Sequence, residues 1–405
     1  MPTSHLAKPI SYPLLAMMLA LLNAIGPFAI DTYLPAFPAI EAGLRTTPLA
    51  MQQSLTAYML PFAFMMLWHG ALADALGRRR VLLVGLTLFA LASVVCVVAQ
   101  SIEMLWLGRA LQGLSAGVGV VVGRAIIRDV LEGPAAQRLM AHVAMVFALA
   151  PAVAPIFGGW ITEVLGWRSV FGFLALLGVI QLAMTIFYLP ETLPVDQRQS
   201  LHPVDLLRGY GSVLGHPGFV LSALSLGLMF TGFFVYVMSA PVFLMQHLQL
   251  SSTDFGWLFI PLVCGMVCGS ALSARLAGKL SRHGTVRLGF CIMAVATLIN
   301  LVLNYFVYTS VVSRIPQLAL YTFGMSLAMP SLSLIALDMF PERRGLAASC
   351  QGFIQMLVTA ACAGLLAPAV WSDLHHLAWA ATAGWVASLL CFVLYVGHRN
   401  RPQTP

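Results

Sequence analysis

The sequence predicts an all-α membrane protein, twelve transmembrane helices arranged as two six-helix bundles. Three observations predict it. Of the 405 residues, 60% are hydrophobic and only 9% charged, against about 25% charged in a soluble domain. No soluble core could hide so much apolar surface, so lipid is the solvent for most of the chain. Apolar runs long enough to cross the bilayer core recur twelve times. One long polar segment, Pro190 to Gly218, divides them six and six.

The runs cover 13–36, 49–73, 80–99, 103–127, 138–162, 167–189, 217–245, 255–277, 285–308, 314–337, 344–370 and 376–397. About 20 apolar residues suffice for each crossing. Lys8 precedes the first run, which is too long for a signal-peptide core and has no small-residue cleavage site after it. A retained first span is expected. The plan is then an N-terminal tail over 1–12, a first bundle over 13–189, a linker over 190–216, a second bundle over 217–397 and a tail over 398–405. Runs nine and ten are parted only by a turn near Ser310–Pro316.

The basic residues orient this plan. With the N-terminus in the cytoplasm, 17 of the 21 Lys and Arg fall on inner segments, among them Lys8, Arg78–Arg80, Arg343, Arg344 and Arg401. Only Arg45, Arg168 and Arg314 fall outside, and Arg109 lies within a span. Such a bias places both termini inside. It also accounts for the net charge of +7 without a nucleic-acid partner. The halves share a weak repeat: "LADALGRRRVLLVG" (72–85) aligns with "LAGKLSRHGTVRLG" (276–289), an offset of half the chain, which reads as an old duplication. The seven cysteines lie in apolar runs without a CxxC pair, so neither a metal site nor a disulfide framework is expected. The ten histidines are scattered and no nucleophile motif appears. An enzyme is not expected.

Charges inside the spans are costly, at least about 2.5–3.5 kcal/mol each at mid-membrane, and so mark function. Asp31 lies in span one, about six residues from its outer end, and Arg109 lies about as far into span four. At 1.5 Å per residue both sit roughly 9 Å below the outer face. Opposite charges at matched depth invite pairing. Burial raises a carboxyl pKa and a nearby Arg lowers it, a balance suited to loading and releasing protons. Asp31 is therefore the candidate proton-coupling carboxylate, gated by Arg109, with Gln112 three residues on and nearly on the same face.

Three further segments have ordered spacing. "GALADALGRRR" (70–80) places Gly70, Asp74 and Gly77 around a tight hairpin, where Gly77 suits a left-handed turn. Asp74 can cap a helix or meet an arginine, and Arg78–Arg80 can pair with acids or lipid phosphates. The stretch 105–129 holds glycines at 113, 117, 119 and 123, two small-xxx-small pairs that let helices approach closely. "LAPAVAPIFGGW" (149–160) sets Pro151 and Pro155 four apart and adds Gly158 and Gly159. A proline in a span frees a carbonyl that neighbours or a cavity must satisfy, so a bent, gating fifth helix is expected.

These segments resemble the signature motifs of the major facilitator superfamily, in its twelve-span drug/proton antiporter branch. The loop 70–80 has the family's Gly70, Asp74, Gly77, Arg78 and Arg79. "IDTYLPAFP" resembles the span-one motif, and 105–113 resembles the span-four motif with Arg109 and Gln112. The stretch 149–159 resembles the span-five antiporter motif, with Ala154-Pro155 where Gly-Pro is usual. With "RAIIRD" and "LPETL", the pattern is most similar to the bicyclomycin/chloramphenicol-resistance (Bcr/CflA) subfamily.

The resemblance covers the whole chain. It implies a bacterial inner-membrane exporter with a central cavity lined mainly by spans one, four, seven and ten. Small drugs would leave by alternating access in exchange for protons. The proton gradient would be the only energy source and no cofactor would be needed. It also implies an inner gate of Gly70, Asp74, Gly77, Arg78 and Arg79, with Arg128 or Asp129 as partner. Some members carry a second acid two turns before the span-one Asp. Here that position is Asn23, which leaves one titrating carboxylate. Gly278 stands where the first half has Asp74, so an asymmetric inner gate is expected.

Cavity helices rich in aromatic and sulfur side chains suit a pliable apolar pocket. The substrate-contact candidates are Asn23, Tyr33, Tyr58, Gln112, Tyr236 and Met329. The alternative is a proton-linked or passive carrier of a natural metabolite such as a nucleoside, sugar or amino acid. A monomer surrounded by membrane lipid is expected in either case.

Overall fold

The computed structural model describes residues 10–198 and 201–399. Lys8 and Arg401, residues 199 and 200 of the predicted linker, and most of both predicted tails lie outside the described residues. Among those described, twelve helical segments are long and apolar enough to cross a membrane. The first six are Tyr12–Leu44, Pro48–Leu76, Arg78–Val97, Ile102–Val130, Gly133–Leu165 and Arg168–Tyr188. The second six are Pro217–Met238, Gly256–Leu276, Arg282–Phe306, Val311–Leu337, Pro341–Val370 and Leu374–His398. The chain divides into two compact units, Met1–His202 and Pro203–Pro405.

Local chemistry starts and stops these helices. Thr47, Ser101 and Ser281 each accept the backbone N–H three residues on, which satisfies an otherwise orphaned donor of the first turn. Between spans two and three the chain turns at Gly77 with φ of 98°, a conformation that a side chain disfavours.

In the first unit span four is central. A Cβ added at Gly113 would lie 2.0 Å from the carbonyl oxygen of Tyr58, and one at Gly119 would lie 2.3 Å from that of Leu22. Spans two and one therefore cross span four at backbone contact, which only a missing side chain permits. Span five remains one helix through Pro151 and Pro155. A Cβ at its Gly158 would lie 1.8 Å from the Thr32 carbonyl oxygen, so span five crosses span one just after Asp31.

Span one differs from its sequence reading. Its helix Tyr12–Asp31 stops at Asp31 and is followed by a 3-10 turn, Leu34–Ala36, and a short helix, Phe37–Leu44. The cause is in the chain. Pro35 has no N–H to give to the carbonyl of Asp31 four residues back, and Pro38 has none for Leu34. Asp31 is thus a helix-terminal residue at an internal break, where the sequence suggested one span that Gly26, Pro27 and Pro35 allow to bend.

The second unit repeats the crossing pattern of the first. Spans eight and ten meet as spans two and four do: Cβ atoms at Gly265 and Gly269 would each fall 2.2 Å from a span-ten carbonyl oxygen, of Ala319 and Phe323. Span seven is interrupted. Helix Pro217–Met229 gives way to Thr231–Met238, and a π-helical turn, Pro241–His247, follows. The Tyr321 hydroxyl donates to the Met229 carbonyl at this break, 2.9 Å away. Within the segment read as a linker, Pro203–Leu214 is helical and buries Tyr210 and Val213. Its Gly209 faces Leu346 of span eleven.

Candidate functional site

Arg109 is the largest fully buried side chain of the chain's described residues. Its guanidinium lies between two tyrosine rings, 4.4 Å from the centroid of Tyr33 and 4.4 Å from that of Tyr58. Each face contributes a cation–π attraction, about 2 kcal/mol where water is excluded. Nη1 donates to the carbonyl of Ala29 at 2.9 Å and to Gln112 Oε1 at 2.8 Å. Gln112 Nε2 donates onward to Ser93 Oγ at 2.8 Å, and Ser93 to the Phe89 carbonyl at 2.7 Å. One chain of hydrogen bonds therefore joins spans one, four and three. Nε and Nη2 of Arg109 have no hydrogen-bond partner. Those two N–H groups form the edge with which arginine grips a carboxylate in two parallel bonds.

The expected ion pair between Asp31 and Arg109 is not formed: among the described residues no ion pair within 4.0 Å involves either. Helix geometry gives the reason. Ala29 and Tyr33 are four apart and share the side that meets Arg109. Asp31, between them, is turned about 200° from Ala29 at 100° per residue. Arg109 reaches the right level of span one but grips its backbone. Asp31 itself is buried. Tyr58, whose ring packs on Arg109, donates its hydroxyl to the Gly26 carbonyl at 3.4 Å.

The remaining cavity candidates divide between the two units. Tyr33 is fully buried and its hydroxyl pairs with Ser54 Oγ at 2.8 Å. Asn23 is buried, donates to the Leu19 carbonyl at 2.8 Å and faces Gly123 of span four. Tyr236 is buried in the second unit, hydrogen-bonded to Asn300, whose Nδ2 donates to the tyrosine oxygen at 3.0 Å. Met329, by contrast, is 37% exposed.

At the Gly77 turn the sequence motif becomes a set of contacts. Arg78 is ion-paired to Asp74 and, through Nε at 3.1 Å, to Asp129 Oδ2. Asp129 also accepts from Thr192 Oγ1 at 3.0 Å. Glu191 Oε1 accepts three backbone N–H groups, those of Arg78, Thr192 and Leu193, at 2.8, 3.1 and 3.2 Å. The "LPETL" segment therefore ties the end of span six to the starts and ends of spans three and four. A Cβ on Gly77 would lie 2.4 Å from Glu191 Oε2, so that glycine is needed for space as well as for φ. Gly70 faces Val121 of span four at ordinary contact distance.

Two residues expected at this gate go elsewhere. Arg79 donates to the carbonyls of Ile186 (2.8 Å) and Thr185 (3.5 Å) and closes the end of span six. Arg128 is exposed and enters no ion pair among those described; the partner is Asp129, turned 100° from it on the helix. In the second unit Arg282, the repeat counterpart of Arg78, is paired with Asp338, which also accepts from Arg344 at 2.9 Å. The acid lost at Gly278 leaves that cluster with one carboxylate between two arginines.

In span five Pro151 and Pro155 lie inside the helix, with Pro155, Gly158 and Gly159 buried. Sequence reasoning missed the burial of Arg314, placed above among outer loop charges. It is 4% exposed. The available signal was its position just before Pro316 and Gln317, at a helix start and not in a free loop.

Twelve spans in two like bundles, buried charges within them and an ion-paired turn in each define a multi-pass membrane transporter. The chain belongs to the Major Facilitator Superfamily, whose description matches residues 19–363. It is 30% identical over 346 residues to the uncharacterized MFS-type transporter YdgK of Bacillus subtilis (strain 168), covering 85% of this chain and 86% of that one. It is 29% identical over 353 residues to multidrug resistance protein D of Escherichia coli (strain K12), covering 87% and 88%. Identity to the bicyclomycin resistance protein homolog of Haemophilus influenzae (strain ATCC 51907 / DSM 11121 / KW20 / Rd) is 27% over 276 residues, 68% and 69% of the two chains. The crystal structure of the human organic anion transporter MFSD10 (TETRAN) superposes with a TM-score of 0.69 at 21% identity, covering 96% of this chain and all of that one; it shares the fold. Two of these relatives are named for drug resistance, as is the branch that the motifs resemble. The protein is a transporter of the bacterial inner membrane and not an enzyme.

Proposed function

We propose that this protein exports small drugs by alternating access in exchange for protons, with Asp31 as the proton-carrying group. The observation that carries this reading is the uncommitted carboxylate-gripping edge of Arg109. It lies fully buried beside the segment of span one that ends in Asp31. A buried guanidinium without a counter-ion is costly, several kcal/mol for the ion alone. A carboxylate that reaches it relieves that cost, and protonation of the carboxylate removes the attraction. Asp31 thus has two states: charged and drawn to Arg109, or neutral and released. The helix end at Asp31 lets the carboxylate swing, because Pro35 leaves its carbonyl free of the ladder.

Gln112 holds Arg109 in place, and Tyr33 and Tyr58 screen it from water. Asn23 cannot titrate, so one proton site is assigned to this helix. The relatives named for multidrug and bicyclomycin resistance support a drug as cargo. The Arg78–Asp129 pair is the proposed inner gate, with both termini on that side as the basic-residue bias requires. The working unit is proposed to be a monomer, driven by the proton gradient without a cofactor.

The test is transport in proteoliposomes with an imposed pH gradient, across a panel of drugs and metabolites. Drug movement driven by the gradient, with proton release on drug addition to the purified protein, is expected. Both should be absent in Asp31→Asn. If a nucleoside, sugar or amino acid moves and no drug does, the protein is a metabolite carrier instead. Full proton-driven export by Asp31→Asn would remove Asp31 from the mechanism.

A further inference from the structure

Ser93 lies on span three, an element to which proton coupling has so far been given no part. It is fully buried and its hydroxyl has two partners. The hydrogen goes to the Phe89 carbonyl at 2.7 Å, one turn back on the same helix. The oxygen accepts from Gln112 Nε2 of span four at 2.8 Å. Other buried hydroxyls, such as those of Thr185 and Thr297, likewise donate to the carbonyl four residues back. Ser93 adds an acceptor role toward a neighbouring span.

That role fixes the direction of the Gln112 amide. With its hydrogen committed to Phe89, the Ser93 oxygen can only accept. The amide must then turn its nitrogen to span three and its oxygen to Arg109. Gln112 Oε1 takes the hydrogen bond from Arg109 Nη1 at 2.8 Å, beside the Ala29 carbonyl at 2.9 Å. The titratable groups around the guanidinium are Tyr33 on span one, Tyr58 on span two and Cys96 on span three, whose Sγ lies 4.0 Å from Gln112 Oε1. Asp31 stands outside ion-pair distance. Span five comes here with Gly158 against the Thr32 carbonyl, and span six with Phe171 against the Tyr33 ring. Neither carries a charge at that contact.

We infer, on the reading that Asp31 carries the proton, that Ser93 is a positioning residue for proton coupling. Through Gln112 it keeps Arg109 on the Ala29 carbonyl, and so sets how readily the arginine passes to Asp31. Two arrangements of Arg109 compete. Held by Ala29 and Gln112, it accompanies a neutral Asp31; released, it pairs with the charged carboxylate. Without the Ser93 hydroxyl, Gln112 Nε2 has no acceptor on span three for as long as Oε1 faces Arg109. A buried donor left unmatched is costly. That cost falls on the held arrangement, because an amide freed of Arg109 can turn. The released arrangement, and with it the charged carboxylate, gains.

The test is an infrared pH titration of the purified full chain, which needs no transported solute. The band of the protonated Asp31 carboxyl is identified by its loss in Asp31→Asn. In Ser93→Ala its midpoint should move to lower pH by about one unit, roughly the tenfold that one unmatched buried donor is worth. Ser93→Thr keeps a hydroxyl that can bond the carbonyl four residues back and should restore the parent midpoint. Thr185→Val removes a buried hydroxyl of span six and should leave the midpoint in place. An unmoved midpoint in Ser93→Ala, or an equal shift in Thr185→Val, overturns the positioning role. Failure of the proton-carrier reading looks different: no titrating carboxyl band is lost in Asp31→Asn, and both then fall together.

Discussion

Arg109 donates to the backbone carbonyl of Ala29 at 2.9 Å, two residues short of the Asp31 carboxylate. The fully buried charge is thus held by a peptide dipole, an amide and two aromatic faces, and by no acid. Its energetic terms nearly cancel. Desolvation costs several kcal/mol; two cation–π contacts return about 2 kcal/mol each, and hydrogen bonds from a charged donor about 1.5–3. Arg109→Met should therefore leave stability within about 2 kcal/mol of the parent while abolishing gradient-driven transport. Thermal unfolding in detergent together with proteoliposome flux checks both halves. A collapse of the fold would show that Arg109 serves structure first.

Backbone crossings at glycine give a second expectation. Gly113→Ala puts a methyl 2.0 Å from the Tyr58 carbonyl oxygen, and backbone cannot step aside as a side chain can. A loss of about 1–3 kcal/mol is expected from such overpacking. Gly172 of span six meets nothing within 4 Å, so Gly172→Ala should be neutral or slightly stabilising through helix propensity. Equal melting temperatures for the two variants would contradict the crossing.

The third expectation concerns partner choice at the Gly77 turn. A double-mutant cycle of Arg78→Gln with Asp129→Asn should yield a coupling of about 0.5–3 kcal/mol, as for residues in direct contact. The same cycle with Arg128→Gln should yield none beyond about 0.5 kcal/mol. Coupling to Arg128 in place of Asp129 would reverse the assignment.

A fourth concerns pH. Asp254, in the loop before span eight, accepts the Ser251 hydroxyl at 2.6 Å and the Ser251 N–H at 3.0 Å. These bonds hold its carboxyl below the ordinary carboxylate range. A group with a depressed folded pKa contributes stability that is present above its unfolded pKa and lost as pH falls through the folded one. The loop should therefore stay ordered at mildly acidic pH and loosen only below the usual carboxylate range. Ser251→Ala should raise the Asp254 midpoint, read by NMR titration; an unmoved midpoint would show that the bonds do not form in solution.

The twelve spans were legible because lipid permits nothing but long apolar helices, and because basic residues flank them in a regular alternation. Gly77 was legible for the same kind of reason, since few residues tolerate its φ. What escaped depends on rotation about a helix axis. Arg128 and Asp129 are neighbours in sequence, yet 100° of turn decides which one meets Arg78. Asp31 and Ala29 are equally near Arg109 by depth, and rotation again gives the contact to the second. Pro35, with Gly26 and Pro27, was legible as allowing span one to bend, but not that the helix ends outright at Asp31. Arg314 was counted as a loop charge because its burial comes from the Val307–Thr309 turn folding over it.

The paired turns of the two bundles differ in wetness. Arg78 is 9% exposed in its pairs, whereas Arg282 is 52% exposed and its acid Asp338 33%. Mobile ions screen exposed charges within about 10 Å at 0.1 M ionic strength and reach buried pairs far less. Raising ionic strength should therefore loosen the Arg282–Asp338 clasp and spare the Arg78–Asp129 one. The duplicated halves of this chain have, in effect, been given different sensitivities to the same electrolyte.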